Sequence, residues 1–285
     1  MRAPFELVEP VGPETPIIVE VPHAGLELPA AFLETLTAPA RALGRDADLY
    51  VDALYEGAPA TGASMLIARA SRYVVDLNRA EADVDGDVVE GGRADLQMNH
   101  GLVWRLTSDG EPALSRRLRL EELEERLELV WRPYHRALAG LIARKRERFG
   151  VAIILAAHSM PSVERLPDGS RRTQIRSQTV DARVRADVVP GTRGRRSADA
   201  RFIDAVEQHA AARGWSVRHD DPYSGGFTTQ HYGRPKDGVH AIQVELARRL
   251  YLDEATLRPN QNFALASSWC CELVARLGQL AACRP

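Results

Sequence analysis

Residues 151–162, VAIILAAHSMPS, constrain this chain more than any other stretch. A run of Val, Ile, Leu and Ala without a charge is too short to span a membrane and suits a strand buried on both faces. The long charged segment before it reads as a helix, so the strand belongs in a parallel sheet covered on both sides. At its carboxyl end the chain turns polar with His158, Ser159 and Met160. Ligands of open α/β sheets bind at that edge. A single histidine at a strand end is more often structural than catalytic, so the case depends on what else reaches the same edge.

The 285 residues suit one α/β domain spanning 1–285, with no linker long enough to divide it. A net charge of −2 gives no reason to expect nucleic acid or a membrane surface as partner. The N-terminal segment has early acids and prolines and no apolar core, unlike a signal peptide. Cys270, Cys271 and Cys283 cluster at the C-terminal end, an odd number that argues against a disulfide framework. Without a neighbouring histidine they read as small apolar fillers of a terminal helix. The expectation is a cytoplasmic globular protein; the oligomeric state is not legible.

Residues 17–21, IIVEV, predict a strand ending in Pro22-His23-Ala24-Gly25. From Asp46 to Tyr55 the apolar spacing predicts a helix, ended by Gly57 and Pro59. SMLIA at 64–68 and YVVDL at 73–77 read as strands, and the acidic, Gly-rich residues 80–101 as a loop or lid. Leu118, Leu120, Leu123, Leu127, Val130 and Trp131 give 115–149 the strongest helical periodicity, with Pro133 breaking or bending it. An Arg-rich run over 163–198 reads as surface loop. Helices are predicted over 198–214 and 261–282, with a short strand at 216–218. AIQVEL at 241–246 predicts a strand with Glu245 near its polar end.

Two imidazoles and a carboxylate with one open position make a hydrolytic zinc site. His23 and His158 each follow an apolar strand, while Asp46, Asp48 and Asp52 offer carboxylates. The blander readings are helix caps for Asp46 or Asp48 and a surface ion pair for Asp52. Asn78 and Arg79 end DLNR, where an Arg can fork a carboxylate, or simply pair with Glu81. Burial of Glu245 after Ile242-Gln243-Val244 would raise its pKa toward that of a general base. Its alternative is a carboxylate bonded to Arg248 or Arg249. No G-x-S-x-G elbow surrounds Ser159, which excludes a serine-hydrolase reading.

PHAG at 22–25, SRYVVDLNR at 71–79, HSMPS at 158–162 and DPYSGGFTTQHYGRP with GVHAIQVELARRLYLDE over 221–254 resemble the N-formylglutamate amidohydrolase family. The resemblance extends more weakly over most of the chain, including WRPYH at 131–135. DLNR, the His-Ser pair and a late Glu are also similar to zinc carboxypeptidases and aspartoacylase-type deacylases. This implies their zinc-exopeptidase (phosphorylase/hydrolase-like) fold, a three-layer α/β/α domain with a mixed, mostly parallel sheet. It further implies Zn2+ or another divalent metal on His23 and His158. For the third ligand Asp48 is preferred, because a helix start facing the strand edge can reach the metal, with Asp46 and Glu27 as alternatives. Glu245 would be the base and Arg72 would polarise the scissile carbonyl. Asn78 and Arg79 would grip a substrate carboxylate, with Arg105 or His231 for a second.

The implied reaction cleaves N-formyl-L-glutamate to formate and L-glutamate late in histidine degradation. The alternatives are hydrolysis of another N-acyl amino acid or peptide amide, or a metal-free binding module. Two departures bear on this. The wider group's carboxylate ligand lies three residues after its first histidine, where this chain has Leu26. Relatives often carry an acid before the second histidine, where this chain has Ala157.

Overall fold

The structure, a computed structural model, describes residues 3–92, 98–164 and 184–282. Its strands are β1 (Phe5–Val8), β2 (Ile17–Val21), β3 (Ser64–Ala68), β4 (Ala152–Met160), β5 (Val188–Gly191) and β6 (Val239–Ala247). Its α-helices are α1 (Ala40–Asp46), α2 (Val51–Leu54), α3 (Leu120–Arg126), α4 (Arg132–Phe149), α5 (Ala200–Ala211), α6 (Phe227–Tyr232) and α7 (Phe263–Ala282). The strands form one sheet in the order β1-β3-β2-β4-β6-β5. The four inner strands are parallel and the two edges antiparallel.

Strand alternation sorts the core into two layers. On one face Ile17, Val19, Val21, Ile153, Leu155, Ala157, Ile242 and Val244 pack against α2, α5 and α7, whose Leu54, Phe202 and Trp269 are fully buried. On the other, Ile18, Leu66, Ile154 and Ala241 meet Leu127, Tyr134 and Leu138 of the α3–α4 region. The inner strands are therefore apolar on both faces, as a parallel sheet between helix layers requires, and the α/β/α expectation holds. Cys270 lies inside the first layer as an apolar filler; Cys283 lies outside the described residues. No described helix is long and apolar enough to cross a membrane.

The charged helix over 115–149 begins at Leu120 and contains a π-helical turn at Leu127–Trp131. That wide turn immediately precedes Pro133, so the missing amide falls where the regular hydrogen-bond ladder is already interrupted. Three expectations need correction. Residues 73–77 form turns, not a strand: Val74 N bonds Ser71 O, and the Asp76 carboxylate takes the Asn78 amide at 2.9 Å. The helix expected from Asp46 to Tyr55 is split. Asp46 ends α1, Asp48 N bonds His23 O at 2.9 Å, and Tyr50 turns left-handed at φ 64° before the short α2. The strand at 216–218 is reduced to one bridge between Val217 and Val188. Of the Arg-rich run and the 80–101 loop, residues 165–183 and 93–97 lie outside the described residues.

Candidate metal and active site

His23 stands just beyond the end of β2, and His158 and Glu245 pair side by side near the ends of β4 and β6. Parallel pairing of β2, β4 and β6 thus sets three candidate side chains along one sheet edge. Asp48 joins them because the backbone bond from its amide to His23 O ties the loop after α1 to the same edge. Asp48 Oδ2 lies 3.0 Å from His158 Nδ1 and 3.5 Å from His23 Nδ1. Asp46 lines the same cavity but commits its carboxylate to Tyr73 Oη and Ser108 N, and Glu27 pairs its backbone with Arg69 and Ser71. Of the carboxylates weighed from sequence, Asp48 is the one brought between the two histidines.

These three residues are buried, and one ligand atom from each lies within 4.8 Å of the other two. Ligand atoms around a tetrahedral zinc stand roughly 3.3 Å apart, from bond lengths near 2 Å. The separations of 3.0 and 3.5 Å bracket that figure. Two imidazoles and one carboxylate also match zinc's preference for mixed nitrogen and oxygen donors. The residues present therefore fit a divalent ion.

A second layer of side chains fixes this group. His23 Nε2 meets Asp76 Oδ1 at 2.7 Å. Asp76 is fully buried and also accepts from Arg72 Nη2 at 2.6 Å and Trp104 Nε1 at 2.9 Å. Burial pushes the Asp76 carboxyl up, but the charges of Arg72 and His23 hold it well below the usual carboxylate range. Asp48 follows the same pattern: burial is outweighed by hydrogen bonds with His158 and His23, which keep it ionised. For His158, burial acts downward, yet the bond to Asp48 and the charge of Glu245 carry it above its ordinary value. No acid precedes His158; the partner of its Nε2 is the Asn78 amide at 3.3 Å. Ala157 points into the opposite core layer, and Asp48 reaches His158 from a different element.

Glu245 is 5 % exposed, and one oxygen accepts from Gln243 Nε2 at 2.8 Å. Among the described residues its second oxygen has no hydrogen-bond partner. Arg248 is directed instead to the carbonyls of Arg45 and Ala47, and Arg249 to Asp187. Burial raises the Glu245 pKa and the charge of Asp48 adds to it, with His158 opposing. Gln243 is oriented by Gly226 N at 2.9 Å and Asn78 Nδ2 at 3.2 Å. A side chain at Gly226 would collide with the Asn78 amide, which accounts for glycine in SGGF.

His23, Asp48, Arg72, Asn78, Arg79, His158 and Glu245 line one cavity of about 540 Å³. Arg72 uses three of its five N–H groups on Asp76 and the Asp46 carbonyl. Asn78 is occupied by the protein: its amide reaches Gln243 and His158, and its oxygen accepts from Thr228 N. Arg79 gives Nε to His100 O and Nη1 to its neighbour's carbonyl. Trp131 and His135, from WRPYH, hold the carbonyls of Arg79 and Leu77 at 3.1 Å. Two residues expected at the site are elsewhere. Arg105 is turned toward Asn99 and Asp85, a fully buried acid that needs a counter-charge nearby. His231 is exposed, stacks on Phe227, and lines an adjoining cavity. The sequence reading missed Asp76, Gln243 and Trp104, whose roles depend on partners distant in the chain.

The chain matches the N-formylglutamate amidohydrolase family over residues 15–252. It is 35% identical over 243 residues to N-formylglutamate deformylase of Pseudomonas putida, covering 84% of this chain and 82% of the relative. The counterpart from Pseudomonas aeruginosa is 36% identical over 244 residues, covering 84% and 83%. The crystal structure of N-formylglutamate amidohydrolase from Ralstonia eutropha JMP134 superimposes with a TM-score of 0.86 at 30% identity. It covers 98% of this chain and 99% of that one. A protein from Agrobacterium tumefaciens shares the fold at 18% identity with a TM-score of 0.67, covering 96% and 94%. With the motifs and the three-layer sheet in agreement, the chain belongs to the N-formylglutamate amidohydrolase family.

Proposed function

We propose that this protein hydrolyses the formamide C–N bond of N-formyl-L-glutamate, giving formate and L-glutamate, with zinc or a similar divalent ion held by His23, Asp48 and His158. The observation that carries the reading is the convergence of those three side chains with Glu245 in one cavity. A divalent ion bound there supplies Lewis-acid polarisation and lowers the pKa of water. Glu245 takes the proton of the attacking water on its unpartnered oxygen and later delivers it to the leaving amine. Arg72 directs its two remaining N–H groups at the charge developing on the formyl oxygen. Arg79 offers Nη2 to the α-carboxylate. Asn78 holds His158 and Gln243 in place and positions the site without gripping substrate. The same reading sets the reaction late in histidine degradation, as the family resemblance implies.

Formate release from N-formyl-L-glutamate, followed with zinc supplied and then removed by chelator, tests the proposal. Release that stops with chelator and returns with zinc supports it. Sustained release in the metal-stripped protein rejects the metal. No release from metal-loaded protein rejects this substrate.

A further inference from the structure

The proposed substrate is a dianion, and only its α-carboxylate has so far been given a partner. We infer that Arg185, on the β5 side of the cavity and backed by Tyr223, binds the side-chain carboxylate and sets the preference for an acidic substrate; this rests on the amidohydrolase reading above.

The arginines lining the cavity differ in what neutralises them. Arg45 pairs with Asp109 and Arg72 with Asp76, while Arg248 lies 3.6 Å from Asp48. Among the described residues no acid pairs with Arg185, although Glu164 lines the same cavity. Its guanidinium is nonetheless fixed. Nη1 donates to Pro161 O at 3.3 Å and Tyr223 Oη at 3.2 Å, with the tyrosine ring centroid 5.3 Å away. Nε is buried and, among the described residues, has no hydrogen-bond partner. Nη1 is anchored and Nε is buried, so among the described residues Nη2 is the nitrogen left free to meet a ligand. A guanidinium N–H with no internal partner is free to give a charge-assisted hydrogen bond to a carboxylate.

Distances along the chain decide which carboxylate goes where. The α-carboxylate is attached next to the amide nitrogen, close to the reacting centre. Arg79 suits it, because its neighbour Asn78 touches His158 at 3.3 Å. The side-chain carboxylate lies farther out by the length of the glutamate side chain. Arg185 touches Pro161, three residues beyond His158, or roughly 10 Å along extended chain. The sheet order agrees: β2, β4, β6 and β5 present His23, His158, Glu245 and then the segment carrying Arg185. The substrate therefore runs outward from the metal ligands toward β5.

The test compares kcat/KM for N-formyl-L-glutamate with that for its uncharged isostere N-formyl-L-glutamine, in wild type, Arg185→Gln and Arg185→Lys. The expected result is that the glutamate-to-glutamine ratio falls by about 10- to 100-fold in Arg185→Gln, the range for removing a charged hydrogen-bond donor. The loss appears in KM, and Arg185→Lys retains much of the ratio. An unchanged ratio in Arg185→Gln overturns the assignment, as does an equal loss for both substrates. Calorimetric titration of the same proteins with L-glutamate and L-glutamine reads the subsite without turnover. A preference for glutamate that vanishes in Arg185→Gln supports it, and one that survives overturns it. If wild type cleaves neither formyl compound yet shows the Arg185-dependent preference, the subsite stands and the deformylase reading falls. If it cleaves formylglutamate with a ratio insensitive to Arg185, the reverse holds; a wild type that binds neither amino acid overturns the subsite.

Discussion

The floor of the cavity and its rim follow opposite rules. On the floor, His23, Asp48, Asp76 and His158 are all buried and joined to one another through short contacts, down to Trp104 and Arg72. At the rim, among the described residues, Glu245 keeps one oxygen without a partner, and Arg79 and Arg185 each keep Nη2. A saturated polar cluster is rigid and suits holding ligands at fixed separations. Groups that a protein leaves unpaired in a cleft are the ones that gain most from a ligand. On the proposed reading the floor holds an ion and the rim holds and converts a molecule, so substitutions in the two regions should separate metal content from catalysis.

The largest effect is expected on the floor. Asp48→Ala or His158→Ala should take both metal content and formate release to background, read by metal analysis and turnover on one preparation. A variant that keeps a full equivalent of metal would break the comparison. Next in size is Glu245→Gln at the rim. It should lower kcat by about 10²- to 10⁴-fold, the range for a general base, while metal content stays at the wild-type level. Metal lost along with activity would move Glu245 to the floor. Smaller again is Asp76→Asn, which weakens the hold on His23 Nε2. An expected loss of about 10- to 100-fold in metal affinity would be read by competition with a chromogenic chelator, and wild-type affinity would remove Asp76 from the support of the site.

How much of this was legible in the sequence follows from range. β4 could be read because a long apolar run buried on both faces needs no partner to be recognised, and its polar end marks the crevice. The histidines were legible for the same reason, each following such a run. Asp48 was legible only as one of several acids, since its choice depends on a backbone bond to His23 and a left-handed turn at Tyr50. The strand expected at 73–77 failed because Val74, Val75 and Leu77 are buried beside Asp76, whose carboxylate reorganises the local backbone into turns. Arg105 and His231 were offered as partners for a second substrate carboxylate. Their actual neighbours, Asp85 and Phe227, could be assigned only in three dimensions.

The smallest expected effect concerns stability, and it asks whether the rim has a rigid foundation of its own. His135 holds the Leu77 carbonyl and contacts Tyr232 Oη, bracing the loop that carries Asn78 and Arg79. Burial pushes its pKa down to about 3, with the bond to Leu77 opposing and the charge of His231 adding to the depression. Between the ordinary histidine value near 6.5 and about 3, the unfolded chain binds a proton here that the folded chain does not. Folding stability therefore falls as pH drops through that window, by up to about 1.4 kcal/mol per pH unit. Above pH 6.5 both states are neutral at this position and the contribution is flat. Urea unfolding at pH 7, 6 and 5 should show His135→Gln less stable than wild type at pH 7, because the braced carbonyl loses its partner, with the gap narrowing at each acid step. Parallel pH profiles would mean that His135 is protonated in the fold, and that the support under the rim is softer than the floor beside it.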